Sequence, residues 1–365
     1  MQRRLAPITS SASSVPASAG PDQGQTPLAL TVVIPTRDRP KLLLKVLTGL
    51  QNQRGLDLRT MEVVVVVDGG PDRTTQLLNS LAPGYHLRVL EILHAGTPGA
   101  RDAGWRTAAA PLILFLDDDV VPSPRLVAEH LTVQRDVGPC VALGRVAPPG
   151  CRRSAWTAYD DRVLTRKYAR LLRDEVPSGI HYGGNVSMPR ELLEMVGGHD
   201  HVLQHDSDVE LGDRLRARGV RFVYRPDALG AHRGAADYST WRRRHFLHGR
   251  VDVALRRDRG LTGGLQGLLA CYHDRHPLNR LVVRLGLGRR SRDHGGLVDI
   301  LAAVGKIAYR LRLDGLSYGA FSAAANLLYW SGVRDAMRGS DPFWQAVRSV
   351  RHHRGRPYLP KTKRR

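Results

Sequence analysis

Dense runs of apolar residues alternate with amphipathic segments along the first third of the chain. The runs 28–34, 62–68, 87–93 and 112–116 have the length and composition of strands, and the densest of them indicate strands buried on both faces of a sheet. Between the first two runs, apolar residues recur at helical spacing over 42–50, which predicts a helix with one buried face. A strand followed by such a helix and by another strand is typical of a parallel α/β sheet.

Carboxylates stand where two of these runs end. Asp68 is the last residue of the second run, and Asp117, Asp118 and Asp119 come directly after the fourth. In open parallel sheets, ligands bind at the carboxyl ends of the strands. We therefore expect the four acids to line one crevice.

The three adjacent carboxylates would repel one another by several kcal/mol in a partly dry site unless a cation neutralised them. A divalent metal ion is the simplest such cation. Alternate residues of an extended chain point the same way, so Asp117 and Asp119 are predicted to converge on the ion while Asp118 faces elsewhere. The alternative is an ordinary solvated acidic turn.

Charge is distributed unevenly along the 365 residues, of which 42% are hydrophobic. The length allows one large α/β domain with an appendage, or two domains. Of the net charge of +21, most lies in residues 241–365, which carry 26 Lys and Arg against 8 Asp and Glu; residues 1–240 carry 29 against 26. The basic part predicts contact with an anionic partner such as membrane headgroups, a polyphosphate-linked substrate or nucleic acid.

Cysteine usage and the first residues bear on the compartment. Cys140, Cys151 and Cys271 have neither metal-ligand nor CxxC spacing, and they predict reduced thiols in a cytosolic protein. Residues 1–27 lack an apolar core, so we expect a disordered leader rather than a signal peptide. The sequence thus predicts a cytoplasmic protein.

Four short motifs follow one another at 32–37 (VVIPTR), 67–70 (VDGG), 98–104 (PGARDAG) and 115–122 (FLDDDVVP). In this order and spacing they resemble glycosyltransferase family 2. The resemblance implies the GT-A fold, an α/β, Rossmann-like and mostly parallel sheet flanked by helices. It also implies an inverting enzyme that transfers a sugar from a nucleotide-diphosphate sugar to an acceptor hydroxyl, assisted by a divalent cation, Mn²⁺ or Mg²⁺.

The resemblance implies roles for single residues. Asp68 would hydrogen-bond the nucleotide base, while Arg101 and Asp102 would border the nucleoside and the diphosphate. The segment 183–190 (GGNVSMPR) resembles the one that lies beside the donor sugar. The full set implied to bind the nucleotide sugar is Pro35, Thr36, Arg37, Asp68, Arg101, Asp102, Asp117, Asp118, Gly184 and Asn185. The implied metal ligands are Asp117, Asp119 and His232, with a merely structural histidine as the alternative at 232.

Acids before a predicted helix are the candidates for the general base. The segment 206–215 (DSDVELGDRL) is similar to the family's acidic stretch, and alignment through 209–211 puts Asp208 at the position of the base. The family usually has an acid directly before the base, where this chain has Ser207, and Asp206 is therefore a second candidate. Alternatively, these acids only cap the helix.

We divide the chain into a leader (1–27), a GT-A catalytic domain (28–240) and a basic, mainly helical C-terminal region (241–365). The catalytic domain has a nucleotide-binding half (28–122) and an acceptor and base half (123–240).

The C-terminal region is predicted to be helical and to contact either a membrane or the catalytic domain. Residues 241–259 are Arg-rich and could close over the diphosphate. An apolar stripe from Leu297 to Leu311 suits a helix at a membrane surface as well as one packed on the protein. The uncharged stretch 316–333 is interrupted by polar residues and short for a span, which favours a buried or interfacial helix. A peripheral position at the inner face of the cell membrane would give access to a lipid-linked acceptor; a saccharide acceptor is the alternative.

Two other classes share some of these features. A metal-dependent nucleotidyltransferase would have the same crevice, but it needs a basic triphosphate loop near the N-terminus, which the sequence lacks. A catalytically inert membrane-binding or nucleic-acid-binding protein would explain the basic region. The intact acids argue against inertness, and the lack of regular aromatic residues in the basic region argues against nucleic acid as the partner.

Overall fold

The computed structural model describes residues 26–69, 73–148, 154–171, 183–203, 206–234, 237–260, 263–288 and 295–350. Nearly all of the predicted leader, Cys151 and the basic end from residue 351 lie outside the described residues. The strands are β1 (Leu30–Thr36), β2 (Met61–Asp68), β3 (His86–Ile92), β4 (Leu112–Leu116), β5 (Val120–Pro122), β6 (Val141–Ala147), β7 (Asn185–Pro189) and β8 (Phe222–His232). The helices are α1 (Pro40–Gln51), α2 (Arg73–Asn79), α3 (Gly96–Thr107), α4 (Leu126–Val137), α5 (Ala155–Leu171), α6 (Arg190–Val196), α7 (Ser207–Ala217), α8 (Tyr238–Asp258), α9 (Gly264–His273), α10 (Pro277–Gly286), α11 (Gly295–Arg310), α12 (Asp314–Ala336) and α13 (Ser340–Ser349).

The eight strands of the described residues form one sheet in the order β3-β2-β1-β4-β7-β6-β8-β5. As predicted, β1 to β4 are parallel to one another, whereas β7 runs antiparallel to both β4 and β6. The sheet is therefore mixed. Its parallel half brings the carboxyl ends of β1, β2 and β4 to one edge, at which ligands bind in open α/β sheets.

Helices cover both faces of the parallel half. In β1, Val32 and Ile34 belong to one buried cluster with residues of α1 and α4, whereas Val33 belongs to another with residues of α3 and α6. Side chains that alternate along a strand therefore all find apolar surroundings. This is why the runs that became β1, β2 and β4 are continuously apolar rather than alternating.

The C-terminal helices have a core of their own, as the predicted helical region requires. Trp241 of α8 and Phe321 and Trp330 of α12 are fully buried in it. Ala155 and Tyr159 of α5 belong to the same cluster. The bundle therefore packs directly on a helix that the sequence analysis assigned to the catalytic domain.

Two glycines set the distance between α8 and α12. A Cβ atom on Gly249 would collide with the carbonyl oxygen of Tyr329, and one on Gly332 would collide with the carbonyl oxygen of Phe246. Only glycine lets the two backbones approach this closely. The position of α8 on the bundle is fixed by this crossing.

Helices α11 and α12 form a hairpin with an exposed, apolar tip. Ile307, Leu311, Leu313 and Leu316 are 50% to 65% exposed. The stripe predicted on α11 is split, because Ala308 is buried whereas Ile300 and Leu311 are exposed. Most of α12 is buried, and no helix in the described ranges is long and apolar enough to cross a membrane.

Candidate active site

The carboxyl ends of β1, β2 and β4 open into a cavity of about 470 Å³, called here the donor cavity. The four acids that the sequence analysis expected in one crevice all line it. The lining residues are Pro35, Thr36, Arg37, Arg39, Asp68, His94, Gly96, Thr97, Ala100, Arg101, Asp117, Asp118 and Asp119.

Asp118 is buried in the wall of the donor cavity. Its Oδ2 accepts a hydrogen bond from Oγ1 of Thr36 at 2.8 Å, and its Oδ1 accepts one from Nη1 of Arg39 at 3.2 Å. Burial raises the pKa of the Asp118 carboxyl to about 6, opposed by Arg39 and Thr36. The alternation of an extended strand does not continue through the acids, because the chain turns here: the Val120 amide donates to the Asp117 carbonyl oxygen.

The β5–β8 ladder brings His232 to Asp119. Val120 of β5 pairs with His232 of β8, and Nε2 of His232 lies 3.5 Å from Oδ2 of Asp119. A Cβ atom on Gly234 would collide with the same carboxylate, so glycine gives it room. β8 runs from Phe222 to His232 and so reaches the site.

The predicted metal ligands fall into two separate ion pairs. Oδ1 of Asp117 accepts a hydrogen bond from Arg101 at 2.8 Å, whereas Oδ2 of Asp119 lies 3.4 Å from Nη1 of Arg39. In the described part of the chain, no group of three or more His, Cys, Asp or Glu side chains is arranged to hold a metal ion by itself. The donor set still suits Mn²⁺ or Mg²⁺, because such ions commonly take one or two protein ligands and complete their shell with water and phosphate oxygens. Arg39 supplies positive charge to Asp118 and Asp119.

Asp68 organises the loop between β3 and α3. Its carboxylate accepts hydrogen bonds from the amides of Ala95 at 2.6 Å and Gly96 at 3.0 Å, and it lies 2.9 Å from Nδ1 of His94. His94 in turn lies 3.0 Å from Nη1 of Arg37. Sequence reasoning missed His94, although a βα loop at the sheet edge is a usual place for ligand contacts.

A second cavity of about 610 Å³, called here the acceptor cavity, adjoins the first, and Thr97, Arg101 and Asp117 line both. The Arg101–Asp117 pair is therefore a shared wall. The other lining residues are Gly183, Gly184, Asp206, Ser207, Asp208, Thr240, Arg243, Arg244, Leu247 and His248.

Two glycines make the shared wall possible. Nη2 of Arg101 donates to the carbonyl oxygen of Gly183 at 2.8 Å, and a Cβ atom at this position would collide with the guanidinium group. A Cβ atom on Gly184 would lie 2.9 Å from Oδ2 of Asp117. The small residues before β7 thus let the backbone pack against the ion pair.

The two candidate bases have different partners. Asp208 lies in the first turn of α7, is 8% exposed, and accepts a hydrogen bond from the Gly183 amide at 3.0 Å. Asp206 has a left-handed backbone (φ 57°) directly before the helix, makes no side-chain cap, and its Oδ2 lies 2.7 Å from Nδ1 of His248. Helix capping therefore does not account for Asp206.

Lys167 of α5 lies in the electrostatic field of the same acids. Burial lowers the pKa of the Lys167 amine to about 8, whereas the charges of Asp208 and Asp206 raise it. Sequence reasoning missed this lysine, because a single Lys in an amphipathic helix belongs to no motif.

Two residues implied to bind the donor line neither cavity. Asp102 is buried, and its Oδ1 accepts hydrogen bonds from the His199 amide at 2.8 Å and from Nε1 of Trp105 at 2.8 Å. Asn185 is buried with its Oδ1 2.9 Å from Nε2 of His130. Both side chains connect neighbouring segments of the scaffold.

The mixed sheet of the eight described strands, flanked by helices, has the GT-A fold. A mannosyltransferase from Pyrobaculum calidifontis, solved in complex with GDP-Man and Mn²⁺, has this fold: the TM-score is 0.52 at 18% identity, covering 84% of this chain and 88% of the other. Residues 31–197 match the model of glycosyl transferase family 2.

Curated relatives extend the similarity beyond the matched family region. Validoxylamine A glucosyltransferase of Streptomyces hygroscopicus subsp. jinggangensis is 31% identical over 232 residues, which are 55% of this chain and 54% of that protein. Pre-mycofactocin glycosyltransferase of Mycobacterium tuberculosis is 28% identical over 240 residues, which are 63% of this chain and 48% of that protein. The chain thus spans about half the length of these relatives.

Proposed function

We propose that this protein is a glycosyltransferase that moves a sugar from a nucleotide-diphosphate sugar to an acceptor hydroxyl, with inversion at the anomeric carbon and with the help of a divalent cation. The observation that carries the proposal is the junction of the two cavities at Arg101 and Asp117. A donor held by the acid triplet and an acceptor held beside Asp208 would meet at this wall.

The donor cavity suits a nucleotide diphosphate. Pro35, Thr36 and Arg37 would line the nucleoside pocket beside Asp68, and the guanidinium groups of Arg39 and Arg101 would face the phosphates. Arg101 is 6% exposed, and its Nε has no hydrogen-bond partner among the described residues. A phosphate oxygen would satisfy this buried donor.

Asp119 and His232 would hold the cation, with Asp117 as a further carboxylate at the same edge. When bound, Mn²⁺ or Mg²⁺ neutralises the negative charge that the departing nucleoside diphosphate gains. Arg39 would then exchange its contacts with Asp118 and Asp119 for contacts with the donor.

Asp208 is the proposed general base. Its carboxylate would take the proton from the acceptor hydroxyl as that oxygen attacks the anomeric carbon from the side opposite the leaving group. The hydrogen bond from Gly183 orients the carboxylate, and Lys167 supplies positive charge in its surroundings. Asp206 is the weaker candidate, because His248 already engages its carboxylate.

We also propose that the C-terminal region holds the enzyme at the cytoplasmic face of an anionic membrane, where a lipid-linked acceptor would be met. Two features support this: the excess of 26 Lys and Arg over 8 Asp and Glu, and the exposed apolar tip of the α11–α12 hairpin, which Arg310 and Arg312 flank. Basic residues near an anionic leaflet contribute about 1 kcal/mol each.

The test of catalysis is nucleotide release by the purified protein from a panel of nucleotide sugars with Mn²⁺ or Mg²⁺. Release of a nucleoside diphosphate, lost in Asp208→Asn, is the expected result. Release of pyrophosphate from a nucleoside triphosphate would instead identify a nucleotidyltransferase. A folded protein that turns over no donor in the panel would favour the catalytically inert binder.

A further inference from the structure

One face of α8 forms a wall of the acceptor cavity. Thr240, Arg243, Arg244, Leu247 and His248 line it, and their spacing of three and four residues places them on one side of the helix. The opposite side carries Gly249 and Val253, which are buried against α12. The wall is therefore held by the bundle, outside the region that matches the family.

Most charges that line the acceptor cavity are already engaged inside the protein. Asp117 is paired with Arg101, and His248 is paired with Asp206. Arg244 forms an ion pair with Asp160 of α5. These pairs leave little net charge for a ligand.

Arg243 is the exception. Its side chain is exposed and lines the cavity that contains Asp208, and no hydrogen bond or ion pair joins it to another residue in the described ranges. The guanidinium group of arginine offers a planar set of donors that matches phosphate oxygens. Among the described residues that line this cavity, Arg243 is thus a cation without a protein partner, and it shares the cavity with the proposed base.

We propose that the acceptor cavity recognises an acceptor that carries a phosphate group near the reacting hydroxyl, and that Arg243 binds this phosphate. The proposal rests on the proposed function, because it takes Asp208 as the site at which the hydroxyl reacts.

The donor's own phosphates are a second source of the same chemistry. Arg243 does not line the donor cavity, which has Arg37, Arg39 and Arg101 among its lining residues. The phosphate at Arg243 is therefore assigned to the acceptor, and binding in the presence of a nucleotide distinguishes the two sources.

The test is calorimetric titration of the full-length protein with inorganic phosphate at constant ionic strength, with the donor cavity saturated by the nucleoside diphosphate that the donor panel identifies, or by GDP and UDP in parallel. Saturable binding is expected, and Arg243→Gln should weaken it at least tenfold. Arg243→Lys should retain part of it, because the charge remains. Arg242→Gln is the matched control, because Arg242 on the same helix lies 2.7 Å from Asp299 and outside the cavity.

The competing outcomes are distinct. Absence of saturable binding, equal binding by Arg243→Gln, or binding that the nucleotide abolishes would each overturn the proposal, the last because phosphate would then occupy the donor cavity. A far-UV spectrum and unfolding midpoint like those of the wild type establish that Arg243→Gln is folded. If the protein binds phosphate as expected but turns over no nucleotide sugar, the proposed function is contradicted. The phosphate site at Arg243 is then still supported.

Discussion

Nδ1 of His248 lies 2.7 Å from Oδ2 of Asp206, and this contact joins the C-terminal helix α8 to the residue that directly precedes α7. Asp208, two residues further on, is oriented by the Gly183 amide instead. The two candidate bases, Asp208 first and Asp206 second in the sequence analysis, thus differ in their surroundings. Asp206 is paired with His248 of the C-terminal bundle, whereas Asp208 accepts a hydrogen bond from the backbone beside the shared wall.

Asp208→Asn should lower the turnover number of sugar transfer about 10²- to 10⁴-fold, because an amide cannot accept the proton of the acceptor hydroxyl. The KM for the donor should change little. Asp206→Asn is the matched control and should retain most of the turnover. Steady-state kinetics of nucleotide release checks both, and a large loss confined to Asp206→Asn would make Asp206 the base.

Asp119→Ala should abolish metal-dependent transfer, because it removes a carboxylate that would hold the cation beside His232. Asp117→Ala should be nearly as severe, since it also releases Arg101. Manganese binding followed by electron paramagnetic resonance should weaken in both variants. Asp136→Ala, which changes an exposed acid of α4, is the control. Full turnover in excess EDTA would refute the metal requirement.

His130 should make the protein less stable at low pH. Burial lowers the pKa of His130 to about 4, below the usual value near 6.5. Between about pH 4 and pH 6.5, the His130 position binds a proton in the unfolded chain but not in the folded protein. The free energy of unfolding therefore falls as the pH falls. The His130 contribution to this loss is about 2 kcal/mol between pH 8 and pH 5.

Urea unfolding at pH 5, 6.5 and 8 measures this loss. His130→Gln should show a shallower dependence on pH than the wild type, whatever its stability at pH 8. His86→Gln, at an exposed position of β3, should leave the dependence unchanged. Parallel curves for wild type and His130→Gln would contradict the assignment.

Gly249→Ala should destabilise the protein by about 1–3 kcal/mol, because the added methyl group would collide with the backbone of α12 at Tyr329. Gly319→Ala is the control: it adds the same methyl group to an exposed position of α12 with no atom within 4 Å, and should be neutral or stabilising by up to about 1 kcal/mol. Denaturant unfolding compares the two. Equal stability would mean that the crossing can relax.

Replacing Leu311 and Leu313 by Ser should reduce flotation with anionic vesicles, most clearly at high salt, where charge attraction is screened and apolar insertion is not. Val163→Ser with Val202→Ser removes exposed apolar side chains elsewhere and should float like the wild type. Wild-type protein that does not float with anionic vesicles at low salt would make the bundle an acceptor-binding or oligomer-forming unit instead.

The strands β1, β2 and β4 were predictable because each is buried on both faces, and burial of that kind leaves a continuous apolar run. The continuation of β8 to His232 was not, since it depends on pairing with β5 and β6, far away in sequence. Dependence on contacts between residues far apart in sequence also explains why His94 and Lys167 were not predicted as site residues.

The acid triplet could be located from the sequence, but the separate ion pairs of Asp117 with Arg101 and of Asp119 with Arg39 could not. A turn between Asp117 and Val120 cancels the alternation that an extended chain would have. Arg39, His94 and Lys167 are single polar residues whose importance comes only from long-range contacts. Asp102 fits a family motif, yet here its carboxylate accepts a hydrogen bond from the His199 amide.

The crossing of α8 and α12 at Gly249 and Gly332 limits how this protein can be recombined with its relatives. A fragment ending at residue 240 would lose a wall of the acceptor cavity and uncover Tyr159, which is buried against the bundle. Because backbone meets backbone at the crossing, α8 cannot tilt to suit a foreign bundle. A chimera that keeps the acceptor cavity intact must therefore exchange α8 and α12 together, as one unit.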